Sequence, residues 1–195
     1  GYDETGAYQI LEDKNGLIWI LTTSFKVFVF NNGYFTKVQP ELNFGWMQLN
    51  TEGNITISGR NTKAIYTVKN DLSIQKIPLQ IDEGVLFSFV QLNKYSYIIG
   101  NTKGIFLSDQ HSSKKLVTSH PDFNNKAPRI FKNSYGIFIT SEEGLYQLNP
   151  HTLKKQLVYA LKGNELFDLY IDKTKGTIWL STYRGLLKIN NQESH

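Results

Sequence analysis

A short glycine–aliphatic–tryptophan pattern returns along this chain, and its spacing limits the fold more than any other feature. Its clearest copies are Gly16-Leu17-Ile18-Trp19-Ile20-Leu21-Thr22 and Gly176-Thr177-Ile178-Trp179-Leu180-Ser181-Thr182. A looser copy is Gly136-Ile137-Phe138-Ile139-Thr140, and weaker ones are Gly53-Asn54-Ile55-Thr56-Ile57 and Ser96-Tyr97-Ile98-Ile99-Gly100. Each precedes a second apolar run, which opens after Lys26, Ala64, Gly104, Gly144 and Gly185. Those positions fall roughly forty residues apart, and a β-rich repeat of that length points to propeller blades, not to a helical solenoid.

The fourth repeat shows how one blade is built. Arg129–Lys132 forms strand A, and Asn133-Ser134-Tyr135-Gly136 turns the chain with residues that accept positive φ. Ile137–Thr140 forms strand B, Ser141–Gly144 turns, and Leu145–Leu148 forms strand C. Asn149-Pro150-His151-Thr152 turns again, and Lys154–Tyr159 leaves as strand D. Elsewhere strand A is Tyr8–Glu12, Trp46–Leu49, Ser88–Leu92 and Phe167–Ile171, and strand D is Tyr34–Val38, Ser73–Ile77 and Lys115–Ser119. The fold expected is all-β: four full four-stranded antiparallel blades and one three-stranded blade, an open arc of a larger propeller. The whole chain, residues 1–195, is read as one propeller fragment with blades over residues 8–44, 45–85, 86–126, 127–165 and 166–189.

Runs such as Val27-Phe28-Val29-Phe30 are apolar on both faces, as expected of sheets sandwiched between neighbours. Trp19, Phe138 and Trp179 hold equivalent places on strand B and are read as packing between blades. Aromatic residues make up 13% of the chain, a composition that suits pleated, half-buried surfaces. No apolar stretch is long enough to cross a bilayer, so no membrane insertion of this segment is expected. The 21 basic and 17 acidic residues are scattered, which argues for a solvated surface and against a nucleic-acid partner. Cysteine is absent, so disulfides and thiolate metal sites are excluded. The chain opens on Gly1, which suggests a processed product or a piece of a longer protein.

The turn-and-strand pattern resembles the two-component-regulator propeller repeat. It stands here as Glu12-Asp13-Lys14-Asn15-Gly16-Leu17-Ile18-Trp19-Ile20-Leu21-Thr22 and again from Asp172 through Trp179 to Gly185-Leu186. The second repeat has Thr56 where Trp is expected, and the third lacks both the Asp and the Gly of its first turn. The resemblance implies the periplasmic sensor region of a hybrid two-component histidine kinase of Bacteroidetes type, which detects carbohydrate breakdown products and relays the signal to transcription. It implies further blades, a membrane helix and a kinase elsewhere in a parent protein, and no catalysis by this fragment.

Catalytic signals are thin. His111, His120, His151 and His195 fall at turns or at the chain end, with no spacing that fixes a metal set. No nucleophile elbow or phosphate-cradling loop occurs, and no cofactor is expected. Asp13 and Asp172 lack the alternating oxygen ligands of a calcium loop and are read as turn caps. In an antiparallel meander the B–C turns and D-to-A connections share one end of every blade. That rim gathers Trp46, Arg60, Tyr183 and Arg184, a set suited to a sugar or an acidic sugar through stacking and bidentate hydrogen bonds. An oligosaccharide ligand, the remaining blades of a parent sensor and a second copy of the chain are the partners expected. The alternatives are a propeller enzyme, of lyase or quinone-dependent dehydrogenase type, and a protein-interaction scaffold; fold alone does not choose among them.

Overall fold

The computed structural model of the chain describes residues 6–39, 41–69, 71–81, 84–109, 111–118, 128–133, 135–141, 144–161, 166–172, 174, 176–182 and 184–189. Every regular element among them is a β-strand, and the strands form antiparallel meanders in which each pairs with its neighbour in sequence. Two compact units divide the chain, Gly1–Pro128 and Arg129–His195.

The first unit holds three blades. Blade one is β1 (Ala7–Glu12), β2 (Ile18–Thr22), β3 (Val27–Asn31) and β4 (Tyr34–Val38). Blade two is β5 (Phe44–Leu49), β6 (Ile55–Gly59), β7 (Ala64–Val68) and β8 (Ile74–Pro78), and blade three is β9 (Leu86–Gln91), β10 (Tyr97–Asn101), β11 (Gly104–Ser108) and β12 (Ser113–Thr118). The second unit holds blade four, β13 (Ile130–Asn133), β14 (Gly136–Ser141), β15 (Gly144–Leu148) and β16 (Lys155–Ala160). Blade five in the same unit has three strands, β17 (Leu166–Ile171), β18 (Ile178–Thr182) and β19 (Gly185–Ile189). Four four-stranded blades and one three-stranded blade agree with the expectation from the repeats.

A side-chain acceptor starts the A–B turn in every repeat. Asp13, Asn50, Asn93, Asn133 and Asp172 each accept, through a side-chain oxygen, the backbone N–H two residues on, at 2.8 or 2.9 Å. This bond replaces one that the reversing backbone cannot make. The third repeat, which lacks the expected aspartate, uses Asn93 for the same purpose. Asp13 does more: its second oxygen accepts the Trp19 indole N–H at 2.9 Å. In the first repeat the aspartate and tryptophan are therefore one hydrogen-bonded unit, and no calcium is needed to explain Asp13.

Blades pack because one sheet alone has no interior. Trp19, Leu21, Val27 and Val29 on one face of blade one are buried with Phe44, Met47, Ile57 and Tyr66 of blade two. Strand β6 of the second blade is buried along its whole length. In the second unit Phe138 and Leu145 meet Leu166, Ile171, Ile178 and Leu180. Glutamine side chains also cross the gaps. Gln9 donates to the Met47 carbonyl at 2.8 Å and accepts the Met47 N–H at 2.9 Å. Gln48, with its amide turned to suit its neighbours, donates to Phe89 O at 2.8 Å and accepts from Gln91 N at 3.1 Å. Gln9 bonds both groups of one residue, as a partner in an antiparallel pair does, whereas Gln48 bonds the residues on either side of Val90, the pattern of a parallel pair.

Four of the five first strands begin with a bulge, where pairing slips by one residue in β1, β5, β9 and β17. The residue at the β5 bulge is Gly45, and a Cβ there would lie 2.6 Å from the carbonyl oxygen of Leu86. Only glycine lets the second and third blades approach this closely.

The outer face of blade one carries Ile10, 59% exposed, beside Ile20 and Phe28 in one cross-strand row that ends at Lys37. The equivalent of the Trp19 face on blade five is open and partly polar. Its row is Tyr170–Trp179–Lys188, where blade one has the apolar Leu11–Trp19–Val29. Trp179 is accordingly half-buried, with Lys188 Nζ 5.5 Å from its ring, and does not share the packing role of Trp19 and Phe138.

Two measurements of stability follow. Trp19→Ala is expected to cost about 3–5 kcal/mol in denaturant unfolding and Trp179→Ala only about 1–2 kcal/mol; equal losses would contradict the difference in burial. Gly45→Ala is expected to cost about 1–3 kcal/mol through the clash with Leu86, and an unchanged unfolding midpoint would show that the approach is relaxed.

Candidate functional site

Bulges and B–C turns place five large side chains at one end of the first unit. Tyr8 is the unpaired residue of the β1 bulge, and Phe87 occupies the same place in β9. Trp46 follows the bulge glycine of β5. Phe25 lies on the turn between β2 and β3 with φ of 64°, a left-handed conformation uncommon for a bulky residue. The local bonds hold it there: its N–H donates to Thr22 O at 2.9 Å, and its carbonyl accepts the Phe44 N–H at 2.8 Å. Arg60 begins the turn after β6, and its N–H donates to Asn43 O at 2.9 Å.

Two of these rings, Phe25 and Phe87, lie against the Arg60 guanidinium. Its central carbon lies 3.5 Å from the Phe25 ring centroid and 5.6 Å from that of Phe87. Tyr8 stands edge-on to Trp46 with centroids 6.5 Å apart, and it lies within electrostatic range of Arg60. Burial pulls the guanidinium below its ordinary value, and Tyr8 opposes that shift. The group nevertheless stays charged at any physiological pH. Among the described residues its side chain makes no hydrogen bond and meets no carboxylate. A cation held flat on an aromatic face has its in-plane N–H donors left over, which is the arrangement that receives a planar anion.

Of the residues expected at a rim site, Trp46 and Arg60 therefore share one cluster, bridged by Tyr8. Trp46 is only 8% exposed, while Tyr8 is 40% exposed and offers the more open ring. Arg184 belongs to the second unit, exposed on the turn between β18 and β19, with its N–H on Thr182 Oγ1 at 3.1 Å. Tyr183 lies outside the described residues. The sequence reading missed Tyr8, Phe25 and Phe87. The available signal was an aromatic residue at the start of a first strand, and another inside a turn where small polar residues are usual.

Other chemistry is sparse. His111 and His151 lie on C–D turns, where their N–H groups donate to Asp109 and Asn149 side chains. In the first unit this puts His111 at the opposite end of its blade from the Arg60 cluster. His120 and His195 lie outside the described residues. Among the described residues no three His, Asp or Glu side chains gather as a metal set, and no helix is long and apolar enough to cross a membrane.

A double-mutant cycle tests the central contact. Phe25→Ala and Arg60→Ala are expected to show a coupling of about 0.5–1 kcal/mol, rising toward about 2 if the site is well desolvated. Additive effects would mean that the stack does not hold the cation.

No protein-family model matches the chain, and no curated relative matches it. Solved structures do. Virginiamycin B lyase from Staphylococcus aureus aligns over 97% of this chain and 71% of its own, with TM-score 0.68 and 11% identity. The extracellular domain of a hybrid two component system from B. thetaiotaomicron aligns over 100% of this chain and 33% of its own, with TM-score 0.63 and 11% identity. The WD40 beta propeller domain of Doa1 aligns over 92% and 62%, with TM-score 0.67 and 17% identity. The chain thus spans a third of the sensor domain and about two thirds of the others. At these identities the likeness shows the fold: the chain is built of β-propeller blades, a fold that it shares with a two-component sensor domain as well as with an enzyme.

Proposed function

We propose that this chain is a non-catalytic, ligand-reading part of an extracytoplasmic sensor of the hybrid two-component type, and that it takes an oligosaccharide at the Arg60 rim cluster. The observation that carries the reading is a partly buried guanidinium stacked on Phe25, with its hydrogen-bonding edge unused among the described residues and exposed Tyr8 beside it. Support also comes from the likeness, over the whole of this chain and a third of that one, to the extracellular domain of a hybrid two component system, and from the repeat resemblance carried by Asp13 and Trp19. The periplasm is the location that goes with this reading.

A second reading, an enzyme, is favoured by the likeness to virginiamycin B lyase. It would place reacting groups beside the bound ligand. The cluster instead offers one arginine and four aromatic rings, groups that hold and stack better than they move protons. Titration calorimetry against a panel of oligosaccharides is expected to give binding with the sugar recovered unchanged. A new reducing end or an unsaturated product would transfer the function to the lyase class.

The proposal includes association through the open faces, with further blades of a parent sensor or with a second copy. Ile10, Ile20 and Phe28 on blade one, and Leu186 on blade five, 67% exposed, are the residues in play. An apolar face of this kind, without a full polar cap, promotes pairing. Light scattering at micromolar concentration is expected to give a dimer that Ile10→Lys or Leu186→Lys shifts toward monomer. A monomer at every concentration would remove the second copy as a partner.

A further inference from the structure

We infer that the Arg60 cluster is built for a carboxylate, so that the ligand is an acidic sugar of uronic-acid type and not a neutral one. This rests on the binding reading above and narrows it. Neutral sugars are held by hydroxyl hydrogen bonds to mixed donors and acceptors, together with stacking on an open ring. The described cluster is poor in acceptors. Arg60 contributes donors only, Phe25 and Phe87 contribute none, Trp46 has a single indole N–H, and the Tyr8 hydroxyl is the one side-chain acceptor among them.

Geometry favours an anion for a second reason. The Phe25 ring covers one face of the guanidinium at 3.5 Å, and Phe87 lies near at 5.6 Å. A ring at 3.5 Å strips water from one face of the cation, whereas its N–H donors point outward in the guanidinium plane. The group has lost hydration without gaining a protein carboxylate among the described residues, and burial lowers its proton affinity accordingly. A ligand carboxylate restores what was lost through two parallel N–H···O bonds in the guanidinium plane. Tyr8, exposed and edge-on to Trp46, offers a ring on which the sugar attached to that carboxylate would stack.

The test uses the whole chain and two probes, digalacturonic acid and its dimethyl ester. The ester keeps the rings and hydroxyls but carries no charge. Calorimetry is expected to show the acid binding at least about tenfold more tightly than the ester, with an affinity that weakens as salt is raised from low to physiological strength. Arg60→Gln is expected to abolish this preference. Arg60→Lys keeps the charge but not the planar fork, and is expected to leave a weaker, more salt-sensitive preference. Unfolding melts of both variants guard against a change in folding being mistaken for a change in binding. Equal affinity for acid and ester, or a preference unchanged in Arg60→Gln, overturns the carboxylate assignment and leaves the sugar-binding reading standing. Failure of the acid to bind while neutral oligosaccharides do bind has the same meaning. Silence from every acidic and neutral probe overturns both.

Discussion

A sheet of four strands, each four to six residues long, has two faces and no interior, so each blade is stable only as far as another surface covers it. The first unit shows the consequence. The second blade, between two others, has a central strand that is buried throughout, whereas the first has one buried face and one open face. The Trp19 side faces the next blade and joins a continuous apolar layer with Phe44, Met47 and Tyr66. Around this layer the smaller devices make sense. Gly45 lets two backbones approach, Gln9 and Gln48 bond across the gaps, and Asp13 orients the largest side chain of the layer by holding its indole N–H.

Much of this was legible because a repeated turn leaves a mark at every copy. Asp or Asn opens each A–B turn, and the strands that follow keep nearly the same length, so the blade count and strand pairing could be read directly. What the residues concealed was where first strands begin. The sequence pattern starts them at Tyr8, Trp46, Ser88 and Phe167, whereas pairing starts one or two residues earlier, at Ala7, Phe44, Leu86 and Leu166. The bulge is the reason: one unpaired residue breaks the alternation that marks a strand, so the pattern reads cleanly only after it. The third repeat hid in another way, since Asn93 does by hydrogen bonding what an aspartate does elsewhere.

The rim site was half legible for related reasons. Arg60 and Trp46 were picked out by residue type and by the topology that brings B–C turns and strand starts to one end. Tyr8 and Phe87 were not, because each occupies the bulge that was read as loop or strand without distinction. Phe25 needs a left-handed backbone, and only the turn that supplies it reveals the side chain to be placed rather than tolerated. Position alone gives Trp179 the role of Trp19. The Trp179 row holds Tyr170 and Lys188 in place of Leu11 and Val29, and among the described residues Trp179 joins no buried layer like the one that blade two gives Trp19.

Arg60 belongs to the second blade, Phe25 to the first and Phe87 to the third. A pull on that one guanidinium is therefore a shear between blades and not a strain within one. Backbone ladders inside each blade resist such a motion, whereas the gaps are spanned at the first strands by the flexible side chains of Gln9 and Gln48. Backbone bonds also cross the first gap, from Phe44 N–H to Phe25 O at 2.8 Å and from Lys14 N–H to Gly53 O at 3.2 Å, so a load on Arg60 passes into the ladders of three blades at once.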